Sequence, residues 1–495
     1  MNNLLAAVDL GSNSFRLLIG RADGDGMGQV YPVDRLKETV RLAAGLTPNK
    51  ELDDAAIARA VEVLQRFGER LRSFHPDRVR AVATNTFRVA RNVSAFLPMA
   101  EAALGFPIEV IAGREEARLI FSGVAHSLPP SPSRRLVVDI GGGSTEFIIG
   151  SSFEPELMES LYMGCVSYSR QFFPDGIVDA HGMKQAELAA RREVEVIGRT
   201  YRRSGWKEAF GSSGTAKALG AILVESGFSE SGITRKGMDQ LKQRLIKMGT
   251  VDRAELAGIK HDRSSVLPGG LAIMSAVFDE LQIERMQTAD GALRLGVLYD
   301  LLGRDASHDK RDDTVRQFMA RYEVDVPQAV RVRKAALAIF AHLVPGDSAG
   351  KEELIRMLAW TAELHEVGLS IAHAAFHKHT AYVLEHADMP GFSRQDQKLM
   401  ALLALGHIGK LGKLQPLVRN QEQWMAILSL RLATLLFRRR EDNDVLPISV
   451  SAQGSSIIVK ADHDWLAAHP LTDFTLRSET SEWSKIGFSF ELLEH

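Results

Sequence analysis

Two stretches of this chain follow one design, and that repetition constrains the fold more than anything else in its 495 residues. Leu136–Gly150 reads LVVDIGGGSTEFIIG, and Leu4–Gly20 reads LLAAVDLGSNSFRLLIG. Each is an apolar run, an aspartate, a short Gly/Ser turn and a second apolar run. Apolar runs bounded by glycine predict buried strands, so each stretch predicts strand, tight turn, strand. Glycine tolerates φ > 0 and lets a ligand approach the backbone closely. Successive N–H groups in such a turn form a concave anion site, to which the hydroxyls of Ser144 and Thr145 would add donors. Asp139 and Glu146 flank the second turn, and two hard carboxylates beside a phosphate cradle suit Mg²⁺. One glycine hairpin can equally be bare structure, but a duplicated phosphate turn is hard to explain that way. Asp9 and Asp139 lie 130 positions apart (139 − 9), so each can head its own domain. Two such turns facing across a cleft predict a phosphate-transfer site.

The length predicts several cores rather than one. The first α/β domain is expected over 1–125, with strands at 4–9, 15–20, 28–34, Val79–Ala83 and Pro107–Ile111. Helices are expected over 53–73 and Arg114–Val124. The Pro/Ser-rich segment 126–135 (HSLPPSPSRR) leads into a second α/β domain, 126–305. It carries a third turn, Gly211-Ser212-Ser213-Gly214-Thr215, between a strand and a helix start. Beyond Gly303 the pattern becomes helix after helix over 306–440, and the alternating segments of 441–495 predict a small α+β domain.

Composition excludes several classes. The single cysteine, Cys165, rules out an internal disulfide and fits a reducing cytoplasm. No run of 18 apolar residues predicts a transmembrane helix, and the N-terminus has no signal-peptide pattern. A formal net charge of −2 argues against general nucleic-acid binding, so basic surface for a polyanion must be local.

DLGSNSF together with DIGGGSTE is similar to the actin, sugar kinase and heat-shock ATPase superfamily. Within it, the chain resembles the exopolyphosphatase and guanosine pentaphosphate phosphohydrolase family along nearly its whole length. Further motifs carry the resemblance: ATNTFRVARN (83–92), GREEARLIFSGV (113–124), MGCVSYSRQFFPDG (163–176), GSSGTAKAL (211–219), LPGGLAIM (267–274) and DGALRLGVLYD (290–300). The resemblance implies two duplicated actin-like (ribonuclease H-like) α/β domains, then an all-helical HD-like domain and a small C-terminal α+β domain. Metal-binding HD domains use a His-Asp pair where this chain has His365-Glu366, which argues against a metal there.

The resemblance also implies a mechanism. The second glutamate of the pair Glu115-Glu116 is the family's general base, although carboxylates in a first helical turn are commonly dipole partners. Arg88 would neutralise phosphate at a helix start. Ser12, Asn13, Ser14 and Gly141, Gly142, Gly143, Ser144, Thr145 would cradle the terminal phosphoryl. Gly211, Ser212, Ser213, Gly214 and Thr215 would contact nucleotide or phosphate chain, while Asp139 and Glu146 hold Mg²⁺. The expected activity is processive, Mg-dependent removal of terminal phosphate from inorganic polyphosphate by a cytoplasmic homodimer, with peripheral membrane contact left open. Alternatives are removal of the 5′ γ-phosphate of guanosine pentaphosphate (pppGpp), an ATP-dependent sugar kinase, and a non-catalytic polyphosphate- or nucleotide-binding regulator.

Overall fold

The computed structural model describes residues 3–494 apart from 23–28, 130, 253–255, 260, 306–308, 347, 349 and 443–445. The expected start of the third strand at position 28 and the expected boundary at 306 fall outside the described residues. The chain divides into two compact units, Met1–Lys310 and Arg311–His495.

The first unit begins β1 (Leu4–Leu10), β2 (Ser14–Ala22), β3 (Val30–Thr39), α1 (Asp54–Leu71), β4 (Val79–Ala83), α2 (Asn85–Val89), α3 (Val93–Leu104), β5 (Ile108–Val110) and α4 (Gly113–Ser127). It continues β6 (Arg135–Ile140), β7 (Thr145–Ser151), β8 (Glu154–Leu161), α5 (Cys165–Phe172), α6 (Ala180–Ser204), β9 (Glu208–Gly211), α7 (Gly214–Glu225), β10 (Ile233–Thr234) and α8 (Arg235–Met248). It closes with α9 (Leu267–Leu281), β11 (Arg285–Thr288) and α10 (Leu293–Asp305).

The duplication seen in sequence extends to topology. One sheet has the order β3-β2-β1-β4-β5, and the other contains β8-β7-β6-β9-β11, with β10 at its far edge. In each, an antiparallel meander (β1-β2-β3, β6-β7-β8) is followed by strands parallel to the first. Both sheets are actin-like, and both bury their central strands on two faces, which is why β1 and β6 read as continuous apolar runs rather than alternating ones.

Strand alternation sorts the side chains between two layers. Ala6, Val8 and Leu10 of β1 pack with α1 and α3, whereas Leu5 and Ala7 join a core shared with α4 and α10. Likewise Leu136, Val138 and Ile140 of β6 face one layer, and Val137 joins Ile120, Phe121, Val297 and Leu298 in the shared one. The helices α4 and α10 cross in backbone contact. A Cβ on Gly296 would lie 1.7 Å from the Leu119 carbonyl oxygen, and one on Gly123 would lie 2.2 Å from that of Ala292.

A buried ion network ties the same helices to the first sheet. Arg80 of β4 bonds Glu109 at 2.8 Å and Asp300 at 2.6 Å, and Arg118 of α4 pairs with Glu115 and Asp300. Largely buried networks of this kind are destabilising unless each member is partnered, as each is here.

The second unit is helical: α11 (Lys310–Arg321), α12 (Val326–Leu343), α13 (Lys351–Leu364), α14 (Phe376–His386), α15 (Arg394–Gly406) and α16 (Gln421–Leu436). Helix α14 begins at Phe376, directly after Ala375, whose left-handed φ of 56° interrupts helical geometry. β12 (Ile448–Gln453), β13 (Ser456–Ala461), α17 (His463–Ala468), α18 (Pro470–Ser484) and β14 (Ser489–Glu494) follow. Their Ile457, Val459, Trp483 and Phe490 share one core with Phe340, Leu358, Leu403 and Leu430 of the helices. Among the described residues no helix is long and apolar enough to cross a membrane.

Candidate active site

The two glycine turns meet. A Cβ on Gly142 would lie 3.1 Å from Cβ of Ser12, and one on Gly143 would lie 3.6 Å from the Ser12 hydroxyl oxygen. Neither Gly11 nor Gly141, Gly142 and Gly143 adopts a positive φ. Their glycines serve close approach, not the left-handed turn expected of them. Gly164 makes the same point, since a Cβ there would stand 2.3 Å from the backbone of Gly142 and Gly143.

Each turn is held from behind by its carbonyls. The Ser12 oxygen accepts from the Ala43 N–H at 2.9 Å, and the Asn13 oxygen accepts from those of Val40 and Arg41 at 3.1 and 2.8 Å. In the second copy the Gly141 oxygen accepts from Cys165 N–H at 2.9 Å, and that of Gly142 from Val166 and Ser167 at 3.0 and 3.3 Å. The segments following the third strand of each meander therefore anchor the turns. Among the described residues, the N–H groups of Ser12, Asn13, Gly142, Gly143 and Ser144 have no backbone acceptor. A ring of N–H groups left free of main-chain acceptors makes an anion nest.

The strand parity that sorts the core also aims the charged groups. Asp9 shares a face with Leu5 and Ala7, Arg16 with Leu18, Asp139 with Val137, and Glu146 with Ile148. All four sit at the turn ends of strands, on the face toward α4 and α10. Asp9 is opposite Arg16 in β1–β2, and Asp139 is opposite Glu146 in β6–β7. The duplication is thus asymmetric: where the second hairpin has a carboxylate, the first has a guanidinium. Thr145 has the other parity, so its hydroxyl turns away from the cleft and donates to the Met163 carbonyl at 2.7 Å.

Helix α4 separates the adjacent glutamates. Glu115 turns into the ion network with Arg118 and Arg80, while Glu116 turns to the strand ends. Arg88, at the end of the one-turn helix α2, donates from Nη1 to Glu116 at 2.8 Å and to the Ile111 carbonyl at 3.0 Å. From α10, Arg294 reaches Asp9 at 3.6 Å. Sequence reasoning missed Arg16 and Arg294; both lie inside quoted motifs, but only strand parity and the α10 crossing turn them to the site.

Electrostatics reflect a crowd of enclosed carboxylates. Burial raises the Glu116 carboxyl above its usual range despite Arg88, and Asp9 and Asp139 push it further. Burial likewise raises Glu146 well up, with Glu116 and Asp139 adding repulsion. Burial raises Asp139, opposed by a hydrogen bond from Ser212, and raises Asp9 against Arg294 and Arg16. Burial lowers the Arg294 guanidinium to about 10. Asp9, Glu116, Asp139 and Glu146 outnumber Arg16, Arg88 and Arg294, so the cluster favours a further cation. Among the described residues no three His, Cys, Asp or Glu side chains stand ready to hold a metal. Mg²⁺ asks for less: one or two carboxylates, with water and substrate phosphate completing its shell. Asp139 and Glu146, cross-strand neighbours beside the anion nest, fit that demand.

The third turn is brought to the same place as a support. The Ser212 hydroxyl donates to Asp139, that of Thr215 to the Ile140 carbonyl at 3.0 Å, and Ser213 caps α7 at Ala216 N–H. Gly211 packs on Ala216, and Gly214 lies against the Arg263 guanidinium. The Ser14 hydroxyl is buried without a partner, and Ser144 hydrogen-bonds Glu146. In the second unit Glu366 bonds Arg440 at 2.7 Å and stands 3.9 Å from His365.

Residues 21–305 match the Ppx/GppA phosphatase family, and 310–480 match Ppx/GppA phosphatase, domain III. A guanosine-5′-triphosphate,3′-diphosphate pyrophosphatase of Aeromonas hydrophila is 38% identical over 99% of both chains. One of Pseudoalteromonas translucida is 37% identical over 98% of this chain and 97% of its own. Among solved structures, an exopolyphosphatase from Cytophaga hutchinsonii aligns with a TM-score of 0.55 at 22% identity, covering 61% of this chain and 98% of that one. The Aquifex aeolicus Ppx/GppA protein aligns with a TM-score of 0.52 at 23% identity, over 61% and 98%. The two structures share the fold. The full-length relatives carry the name expected as the alternative, not that of a polyphosphate hydrolase. This chain belongs to the Ppx/GppA phosphatase family, the phosphoanhydride hydrolases.

Proposed function

We propose that this protein removes the terminal 5′ phosphate of pppGpp by hydrolysis. One observation carries the substrate: relatives matching it end to end at 37–38% identity bear that activity in their names. Hydrolysis of inorganic polyphosphate, expected first from sequence, uses the same chemistry and stands second. Its support is the name of a solved relative at 22% identity over 61% of the chain.

The terminal phosphoryl sits in the nest of backbone N–H groups from Ser12, Asn13, Gly142, Gly143 and Ser144. Those donors are fixed before substrate arrives, so they cost no reorganisation as charge develops on the phosphoryl oxygens. Glu116 takes a proton from a water aligned with the scissile bond. The water oxygen bonds phosphorus, the bridging oxygen leaves with the bonding electrons, and orthophosphate and the shortened nucleotide result. A raised carboxyl suits that role, because a base works best with a pKa near the working pH. Arg88 holds Glu116 in place and lends positive charge beside the phosphoryl. Asp139 and Glu146 would hold Mg²⁺, which when bound offsets phosphate charge. Gly211–Thr215 brace Asp139 and the second turn.

The proposal extends to a cytoplasmic homodimer, with 306–440 an HD-like support for substrate binding and 441–495 a small appended domain. Its test is a competition: pppGpp and long-chain polyphosphate supplied together with Mg²⁺, with the loss of each followed separately. Preference for pppGpp is expected; consumption of polyphosphate alone would reinstate the other substrate.

A further inference from the structure

The strand that closes the second meander, β8, places a serine on the same rung as two carboxylates of the cleft. Asp139 of β6 is opposite Glu146 of β7, and Glu146 is opposite Ser160 of β8. Met158, two residues earlier on β8, packs into the core shared with α4 and α10, so Ser160 points to that same face. Its hydroxyl donates to Glu146 Oε1 at 2.9 Å. Glu146 is 1% exposed, and Ser144 supplies it a second hydrogen bond.

Ser160 is itself held from the other side. Helix α4 begins at Gly113, and a Cβ there would stand 2.6 Å from the Ser160 Cβ and 2.7 Å from its hydroxyl oxygen. Only a residue without a Cβ lets the helix start rest on Ser160 in this way. The same first turn carries Glu116, so one contact links the helix of the base to the serine beside Glu146.

The first copy holds different chemistry at these places. Its rung runs Asp9, Arg16, Lys37 across β1, β2 and β3. Cations at the second and third places would repel a metal ion, and in the second copy those places hold a carboxylate and a neutral hydroxyl. A hydroxyl orients a carboxylate by donating one hydrogen bond, adds no positive charge, and leaves further lone pairs of the carboxylate to a cation. Asp139 has the same arrangement, with the Ser212 hydroxyl as its donor. We infer that Ser160 is a positioning residue, which fixes the Glu146 carboxylate for Mg²⁺. The inference rests on Asp139 and Glu146 as the metal carboxylates of the proposed function, but not on which phosphoanhydride is cleaved.

Mn²⁺ binding to the resting full-length protein, followed by electron paramagnetic resonance, tests it without turnover. Ser160→Ala should weaken binding about tenfold or more, since loss of a ligand's hydrogen-bond partner typically costs about 10–100-fold in metal affinity. Circular dichroism should report a native fold. The hydrolysis rate of the variant should recover as Mg²⁺ is raised, a rescue that a purely structural defect would not show. In a Glu146→Gln background the same substitution should weaken binding little further. Equal Mn²⁺ affinity in wild type and Ser160→Ala, a rate loss that excess Mg²⁺ leaves unchanged, or an undiminished effect in the Glu146→Gln background overturns the inference. If Glu146→Gln binds Mn²⁺ as wild type does, or wild type binds none, the placement of the metal itself falls and the inference falls with it.

Discussion

Arg88 Nη1 lies 2.8 Å from Glu116 Oε2, and both side chains are about nine-tenths buried. The pair joins a one-turn helix after β4 to the first turn of α4, and it orients the carboxylate proposed above as the base. Glu116→Gln should keep the fold and lower the rate by about 10²–10⁴, the usual worth of a general base. Phosphate release and nucleotide binding, measured on the same preparation, would separate the two effects. Loss of binding along with rate would remove Glu116 from the role of base.

Arg88→Leu should be the more damaging change for stability. It strands a buried carboxylate among Asp9, Asp139 and Glu146, and breaking a buried pair costs about 3–5 kcal/mol. A fall in Tm by calorimetry, partly restored in the double variant Arg88→Leu/Glu116→Gln, is the expected result.

Asp139→Asn and Glu146→Gln should raise the Mg²⁺ concentration needed for half-maximal activity by at least about tenfold. Chelation should abolish activity in the wild type, and readdition of Mg²⁺ should restore it. A metal dependence untouched by both substitutions would move the cation elsewhere.

Gly164→Ala should abolish activity, since its Cβ would enter the backbone of Gly142 and Gly143 at 2.3 Å. Neither side can yield without opening the turn. Gly296→Ala should instead lower stability by about 1–3 kcal/mol, forcing α10 off the Leu119 carbonyl. Denaturant titration followed by circular dichroism would measure it.

His407 sets an acid limit on the second unit. Its ring is fully buried, with Nδ1 on the Ala404 carbonyl and Nε2 without a partner. Burial lowers its pKa well below 6.5, and His365, His377 and Arg431 oppose a charge there as well. The folded state therefore holds fewer protons than the unfolded one. Stability is complete above about pH 6.5 and declines as pH falls toward the folded value, by at most about 1.4 kcal/mol per pH unit. His407→Gln should flatten that decline in acid unfolding curves.

The duplicated hairpins and the family were legible along the chain, because periodicity and glycine turns are local signals, whereas short elements such as β10 and β11 were not. Glu116 was legible only through resemblance: in sequence it is indistinguishable from Glu115, and a helical rotation of about 100° separates them. Arg16 and Arg294 went unread for a related reason. An arginine in a strand, or one near the start of a helix, is ordinarily a solvated residue.

The amino-acid sequence by itself determined two strand–turn–strand motifs, their carboxylates and the glycines that let them meet. Their close approach needs no more than the absence of a Cβ. Only the tertiary structure decided which charged groups share the cleft. Strand parity turns Asp9, Arg16, Asp139 and Glu146 toward one layer, and the glycine crossing of α4 and α10 brings Glu116 and Arg294 to them. Direction across a sheet is a local property, whereas the meeting of two helices distant in sequence is set by packing of the whole core.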